Sequence, residues 1–319
     1  MAVYTALSDE DIAALLALYD IGSAVKSEGV AEGVENTNYK LITSKGRYIL
    51  TLFEKRVAER DLPFFMAVME RLAQRGFEAP QPIATRGGDY LTRVKGKPAA
   101  IVSFLDGVWP RKTELQHCAA IGDALARMHV ALEGFTMERA NSLSLEGWEV
   151  LIEPRLAEAE ALRPGLAALI ERDMAEARAA WPGALPRGVV HADLFPDNAL
   201  FESAKLGGVI DFYFACTDFL AYDLAVCLNA WCFREEQEYD LARGRAMIDA
   251  YAAVRPPTDA ERAAVPILAR GAALRFFATR LTDWIATPND AQVTPKDPLE
   301  YADKLAFHRT AQSAADYGA

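Results

Sequence analysis

The stretch VVHADLFPDNALF, residues 189–201, places a group of polar side chains between two apolar ends. The group consists of His191, Asp193, Asp197 and Asn198, with Pro196 inside it. Val189 and Val190 predict a short buried strand, and the polar residues after them predict a loop. Reactive residues are often carried on loops that a rigid scaffold positions. The stretch therefore predicts a functional loop at the end of a buried strand.

A second acid follows this loop at the end of another apolar run. Asp211 closes GGVID, residues 207–211, and we expect this run to form a strand that pairs with the strand at Val189. That hairpin would bring Asp193, Asn198 and Asp211 together. Two carboxylates and an amide carbonyl are hard oxygen ligands suited to Mg²⁺ held jointly with phosphate oxygens. The alternative is a set of Asx turns that only cap the local backbone.

If one carboxylate stays off the metal, it can orient a hydroxyl group and accept its proton. This division of labour is typical of kinase-type phosphoryl transfer. Asp223, in YDLA at a predicted helix start, is expected to brace the loop by accepting backbone N–H bonds. His191 is expected to support the loop, since Asp193 already provides the base.

Secondary-structure patterns change character along the chain. Ser8 and the acids Asp9–Asp11 predict the start of a first helix, and Gly22 predicts its end. Strand patterns with one inserted helix then dominate to about residue 105, and Ser44-Lys45-Gly46 predicts a hairpin turn between two of the strands. From Thr113 the patterns are mainly helical. We therefore predict an α+β fold with a small β-rich lobe over 1–105 and a larger, mainly helical lobe over 106–319. A ligand is expected in the cleft between two such lobes.

Composition excludes several classes of partner. The 319 residues carry a formal net charge of -11, which argues against nucleic acid or an anionic membrane surface as the main partner. No apolar run is long enough to cross a membrane, and the N-terminus does not resemble a secretion signal. The four cysteines form no CxxC pair and are expected to be buried, reduced thiols. These features predict a cytoplasmic protein that binds small molecules, and they leave its oligomeric state open.

The order H-x-D-x-x-x-x-N, then I-D after a strand, then D-L-A resembles the aminoglycoside-phosphotransferase-like kinases, relatives of the protein kinases. IGDALARMH, residues 121–129, is similar to that family's helix before the catalytic loop. AIVSFLDG, residues 100–107, is similar to the connector between its lobes. The resemblance implies a two-lobed protein-kinase-like fold that uses ATP and Mg²⁺. It makes Asp193 the catalytic base and Asn198 and Asp211 the metal ligands.

Within this family, several segments resemble the homoserine kinases of bacteria. They are EGVENTNYKL, YILTLFEK, HADLFPDN, IDFYFACTD and KDPLEY. The resemblance implies phosphorylation of the side-chain hydroxyl of L-homoserine in threonine biosynthesis. The loop Gly33–Asn38 would cover the ATP phosphates through Gly33, Asn36, Thr37 and Asn38. The connector would place Ser103, Phe104 and Leu105 beside adenine.

One position departs from the kinase pattern, because Thr51 stands where many relatives carry a phosphate-binding Lys. The alternatives for neutralising the phosphate charge are Lys40, Lys55, Arg56 and backbone N–H groups.

Candidates for the amino-acid pocket are Arg139, Asn141, Tyr213 and Arg275, with Trp148, Asp218, Arg280 and Asp283 as further members of the same segments. The rival functions are a kinase of another small hydroxyl compound (choline, an aminoglycoside or a methylthio-sugar) and a non-catalytic nucleotide-binding protein.

Overall fold

The computed structural model describes residues 4–30, 36–54, 57–234, 237–287 and 295–319. The chain divides into two compact units. The first consists of Met1–Gly107 together with Gly207–Tyr213, and the second of Val108–Leu206 together with Phe214–Ala319. The sequence placed a lobe boundary after residue 105, whereas this division falls after Gly107 and adds the segment 207–213 to the first unit.

An antiparallel sheet with the order β1-β2-β3-β5-β4 lies at the centre of the described part of the first unit. Its strands are β1 (Ala24–Gly29), β2 (Thr37–Thr43), β3 (Gly46–Leu52), β4 (Thr92–Val94) and β5 (Lys97–Ser103). Thr43 pairs with Gly46, so Ser44 and Lys45 form the turn of the predicted hairpin. Alternate residues of β2 are buried, as expected of a strand with one covered face.

In the described part of the first unit, two α-helices accompany the sheet, α1 (Asp9–Leu16) and α2 (Leu62–Gln74). A capping box starts α1, because the Ser8 hydroxyl accepts from the Asp11 amide at 3.2 Å and the Asp11 carboxylate accepts from the Ser8 amide at 2.7 Å. Apolar residues of α1, among them Ile12 and Leu15, share a buried cluster with Leu41 and Ile101 of the sheet. The helix ends at Leu16, earlier than the glycine at position 22 had indicated.

The second unit is mainly helical. Its helices are α3 (Leu115–Ala131), α4 (Leu145–Ile152), α5 (Leu156–Leu162), α6 (Leu166–Ala180), α7 (Leu220–Trp231), α8 (Leu241–Val254), α9 (Asp259–Ala286) and α10 (Leu299–Thr310). Nearly every residue of α7 is buried, so the other elements pack around it. α3 and α8 approach closely at Gly122, where an added Cβ would lie 2.1 Å from the carbonyl oxygen of Met247. Only glycine leaves room for this contact.

Four short strands occur in the second half of the chain: β6 (Arg187–Val190), β7 (Ala199–Glu202), β8 (Lys205–Val209) and β9 (Cys216–Phe219). The predicted pairing of the strand at Val189 with the run ending at Asp211 is wrong. β6 pairs with β9, with Val190 opposite Cys216, and β8 pairs with β7. The short turn at Ser203 closes β7 onto β8 directly, and Ser203 adopts the left-handed φ of 58° that such turns favour.

No helix in the described ranges combines the length and the apolar character that crossing a bilayer requires. All four cysteines are buried and free, as predicted. Burial raises the pKa of the Cys216 thiol to about 12, which keeps this side chain a neutral thiol.

A fully buried histidine connects three helical elements of the second unit. His308 of α10 contacts the Tyr317 hydroxyl through Nδ1 at 2.8 Å and the Asn229 amide oxygen of α7 through Nε2 at 2.9 Å. Burial, aided by the charges of Lys304 and Arg270, lowers its pKa from 6.5 to about 3. His308 is therefore neutral in the folded protein across the physiological pH range.

Because the pKa of His308 is lower in the folded state than in the unfolded state, acid stabilises the unfolded state. The stability that neutral His308 provides is complete above pH 6.5 and is lost as the pH falls from there towards 3. Between pH 7 and pH 5 we expect the free energy of unfolding to fall by about 2 kcal/mol more in the wild type than in His308→Gln. Urea titrations at both pH values measure this difference, and equal losses in the two proteins would contradict it.

Candidate active site

The polar loop after β6 brings Asp193 and Asn198 into direct contact. The Asn198 side-chain amide donates to the backbone carbonyl of Asp193 at 2.8 Å and lies 3.3 Å from its carboxylate oxygen Oδ2. A short 3₁₀ helix, Pro196–Asn198, turns the chain back to allow these contacts. Both contacts involve the side-chain nitrogen of Asn198, so its side-chain oxygen is the atom that can bind a cation.

Asp223 holds the backbone of the same loop. Its carboxylate accepts from the amides of His191 at 2.7 Å and Ala192 at 2.8 Å. It also contacts Nε2 of His129 at 3.1 Å. Burial by itself would raise the pKa of Asp223, but the hydrogen bond and charge of His129 together with His191 hold it below the usual value. The carboxylate is thus ionised and provides a fixed acceptor beneath the loop.

Two residues that the sequence did not single out extend this contact. The Tyr251 hydroxyl lies 2.9 Å from Nδ1 of His129 and accepts a hydrogen bond from Arg255 at 3.0 Å. The Tyr251 hydroxyl thus links His129, and through it Asp223, to Arg255. Tyr251 lies on α8 and Arg255 is the residue that follows the end of this helix, and no sequence motif marks either of them.

The Asp193 side chain remains 21% exposed, so it is accessible to a bound molecule. Burial raises the pKa of this carboxyl group, and the nearby Arg275 guanidinium opposes the shift most strongly. Arg275 was a candidate for binding the substrate. The structure places it in α9, 2% exposed, with its guanidinium against the loop rather than on an open surface.

Two other candidates for the amino-acid pocket have partners inside the second unit. Arg139 donates to the backbone carbonyl of Ala215 at 3.1 Å, and the Asn141 amide donates to the Asp218 carboxylate at 2.7 Å. These contacts attach the segment before α4 to Ala215 and to Asp218 of β9. These partners favour a structural role for Arg139 and Asn141. Trp148 is fully buried and donates to the Leu143 carbonyl, so it belongs to the core.

The first unit contains the residues expected to bind ATP phosphates. Gly33 lies outside the described residues. Thr37 is fully buried at the start of β2, where its hydroxyl accepts from the Tyr4 amide at 3.0 Å and donates to Glu54 at 2.7 Å. Asn36 is also buried, and its side chain accepts from the Glu54 amide at 3.3 Å. Thr37 and Asn38 thus lie in a strand instead of the predicted loop.

Thr51, at the position where relatives carry a Lys, has neutral partners. Its hydroxyl donates to the Asn38 side-chain oxygen at 2.7 Å, and the Tyr213 hydroxyl lies 3.4 Å away. Tyr213 packs edge-on against Phe53 and Phe65, which joins the segment 207–213 to the first unit. Asp211 precedes it in the same segment and has a left-handed φ of 64°. Lys55 and Arg56 lie outside the described residues.

The predicted connector residues follow β5 directly. The Ser103 amide donates to the Gln81 carbonyl at 2.9 Å, and the Phe104 amide donates to the Arg47 carbonyl at 3.2 Å. Within the described ranges, the Leu105 amide has no backbone hydrogen-bond partner, so of the three predicted connector residues it is the one available to a ligand. Among the described residues, no group of three or more His, Cys, Asp or Glu side chains is arranged to hold a metal ion.

Known structures resemble the fold over nearly its whole length. A complex of the amicoumacin kinase hAmiN with AMP-PNP, Ca²⁺ and Ami has a TM-score of 0.70 at 15% identity and covers 95% of this chain and 92% of its own. A choline kinase from Cryptosporidium parvum has a TM-score of 0.68 at 13% identity and covers 95% of each chain. These similarities confirm the kinase-like α+β fold.

Sequence relatives are much closer. A homoserine kinase of Afipia carboxidovorans is 53% identical over 318 residues, which cover 100% of this chain and 98% of that protein. A homoserine kinase of Xanthobacter autotrophicus is 54% identical over 318 residues, covering 100% and 99%. Residues 26–257 match the model of APH, the phosphotransferase enzyme family, whose kinases use ATP. The chain therefore belongs to the phosphotransferase enzyme family that includes these homoserine kinases.

Proposed function

We propose that the protein transfers the γ-phosphoryl group of ATP to the side-chain hydroxyl of L-homoserine, forming O-phospho-L-homoserine for threonine biosynthesis. The observation that carries the substrate assignment is the full-length similarity, at 53% identity, to a protein named homoserine kinase. The braced loop supports the chemistry, because it holds a carboxylate and an amide of the kind that phosphoryl transfer uses.

In the proposed step, the hydroxyl oxygen of homoserine forms a bond to the γ-phosphorus while the bond from that phosphorus to the β–γ bridging oxygen breaks. ADP leaves with the bridging oxygen, and Asp193 accepts the hydroxyl proton. The raised pKa of Asp193, which burial causes, improves this carboxylate as a base. Most of the acceleration comes from holding the hydroxyl in line with the phosphorus.

Asn198 and Asp211 are the proposed ligands of Mg²⁺. Their amide and carboxylate oxygens are hard donors, which Mg²⁺ accepts together with phosphate oxygens. The residues fit this role, because the contacts of Asn198 with Asp193 occupy its amide nitrogen and not its oxygen. When bound, the ion would neutralise charge on the phosphates.

The Asp211→Asn variant is expected to bind MgATP at least about tenfold more weakly, because an amide replaces a charged metal ligand. The thermal shift produced by ATP in the presence of Mg²⁺ measures this change. ATP with EDTA should shift the wild type and the variant equally. Glu202→Gln, at an exposed position of β7, is the matched control and should behave as the wild type. An unchanged MgATP shift in Asp211→Asn would contradict the ligand assignment.

Leu105 is the proposed amide donor to adenine, because Ser103 and Phe104 already donate within the first unit. The zwitterionic end of homoserine needs a cation and an acid. Tyr213 remains a proposed contact of homoserine, whereas the internal partners of Arg139 and Asn141 favour structural roles for these two residues. The ion pair of Lys296 and Asp197, at 3.3 Å, is a further candidate for binding the zwitterion, because it combines opposite charges. Both charges also influence the pKa of Asp193.

A coupled assay of ADP release with L-homoserine, choline, an aminoglycoside and a methylthio-sugar tests the function. We expect rapid turnover with L-homoserine and at least about a hundredfold lower kcat/KM with the others, since each lacks the amino-acid zwitterion. If another acceptor reacts and homoserine does not, the substrate assignment is wrong. If MgATP stabilises the protein and no acceptor reacts, it is a non-catalytic nucleotide-binding protein.

A further inference from the structure

Arg275 is an arginine whose contacts are concentrated on the loop that carries Asp193. It projects from α9 and is 2% exposed. One guanidinium nitrogen donates to the backbone carbonyl of Ala192, and another lies 3.8 Å from Oδ1 of Asp193. The guanidinium also lies over the rings of Phe276, at 4.4 Å, and Phe214, at 5.6 Å. A charge buried this deeply is retained only where such partners compensate it.

Ala192 has an unusual backbone conformation that needs external support. Its φ is 64°, in the left-handed region that residues with a Cβ rarely adopt. Asp223 accepts from its N–H at 2.8 Å, and Arg275 donates to its C=O. Two buried side chains of opposite charge thus bind the backbone N–H and C=O groups of Ala192. Asp193 follows it directly, so the conformation of Ala192 determines where the Asp193 carboxylate points.

We propose that Arg275 is a positioning residue that fixes the direction of the Asp193 carboxylate by holding Ala192 from the side opposite Asp223. It acts through the loop and does not contact the substrate. The terminal nitrogens of Arg275 contact Ala192 and Asp193, and Tyr222 of α7 also interacts with this side chain. The kinetic part of this inference rests on the proposed function.

The competing role is that of a ligand for the substrate carboxylate, which the sequence had indicated. The two roles predict different kinetic effects. Loss of a group that binds substrate and transition state equally raises KM and preserves kcat. Loss of a group that only orients the base lowers kcat with little change in KM, because misplacement of a reacting group by about 1 Å costs on the order of a hundredfold in rate.

Steady-state kinetics of Arg275→Met and Arg275→Lys distinguish these roles. In Arg275→Met we expect kcat with L-homoserine to fall about a hundredfold, with KM within about threefold of the wild type. Arg275→Lys keeps the charge and one donor and should lose only about tenfold. A KM raised tenfold or more with kcat preserved would overturn the proposal, and so would wild-type kinetics.

A suitable control is Arg309→Met, which removes a partly buried arginine of the second unit. Arg309 pairs with the buried Asp173 through two contacts at 3.0 Å and one at 2.5 Å. It has no contact with the loop among the hydrogen bonds and ion pairs of the described residues. The kcat of Arg309→Met should stay within about twofold of the wild type, because this substitution leaves Ala192 and Asp193 in place.

Hydrogen exchange gives a readout that does not depend on the substrate. The amides of His191 and Ala192 should exchange at least about tenfold faster in Arg275→Met and Arg275→Lys than in the wild type or Arg309→Met, because the loop opens more often. Unchanged exchange in folded Arg275 variants would overturn the proposal. If the wild type fails to phosphorylate homoserine, the proposed function fails, and the exchange rates still decide the role of Arg275.

Discussion

Asp193→Asn is expected to lower kcat for phosphoryl transfer to L-homoserine by about a thousandfold. The amide has nearly the shape of the carboxylate but cannot accept the hydroxyl proton, so the base is lost while the loop is retained. Asn198 keeps its shorter contact, because that one is to the backbone carbonyl of Asp193, and only the 3.3 Å contact with Oδ2 involves the substituted group. Asp223 likewise holds the backbone amides before it and not the side chain.

Steady-state kinetics and a thermal-shift titration with MgATP together test this prediction. The variant should bind MgATP with wild-type affinity, because Asp193 is not a proposed metal ligand. Asp249→Asn, an exposed acid on α8, is the control and should keep kcat within about twofold. A variant at position 193 that retains more than about a tenth of the wild-type kcat would show that Asp193 is not the base.

Asp223→Asn is expected to reduce the free energy of unfolding by about 3–5 kcal/mol, the largest effect on stability that we predict. The carboxylate accepts from two backbone amides and from His129 in a site without solvent. An asparagine offers one oxygen, and its NH₂ group would face a donor. At least one buried N–H group would therefore lose its partner, in addition to the loss of the buried charge opposite His129.

Urea unfolding at neutral pH, followed by circular dichroism, measures this loss. The exposed Asp249→Asn again serves as the control, and its free energy of unfolding should change by less than about 0.5 kcal/mol. Activity of Asp223→Asn should be compared at a temperature where the variant is fully folded. A loss of stability no greater than that of the control would mean that the contacts of Asp223 with the loop contribute little to folding.

Local sequence patterns predicted the elements whose stabilising contacts lie within a few residues. The Ser8–Asp11 capping box starts a helix, and Ser44-Lys45 turns a hairpin, because each depends on neighbouring groups only. In α3, apolar residues spaced three or four positions apart form the buried face, namely Cys118, Ile121, Leu125 and Met128. Leu115 continues this spacing but is 53% exposed at the first turn. The apolar spacing of a helix can thus continue into a terminal turn that lies outside the buried core.

Strand pairing was not predictable in the same way. The strand at Val189 was expected to pair with the run ending at Asp211, and it pairs with Cys216–Phe219 instead. The expected partner, GGVID, is an apolar run, whereas β9 has the sequence CTDF with the polar residues Thr217 and Asp218. The residue pattern therefore did not indicate β9 as the partner. The assignment of Gly207–Tyr213 to the first unit likewise depends on packing, because Tyr213 contacts Phe53 and Phe65, which are far away in the sequence.

By itself, the sequence determined which residue types stand in the loop and that an acid at position 223 would brace it, because motif spacing and residue chemistry are local properties. Only the tertiary structure decided that Thr37 is buried in a strand and that Arg275 lies against the loop. Arg275 and Ala192 are 83 residues apart. A contact over that distance depends on how α9 packs in the second unit, and no pattern within either segment specifies that packing.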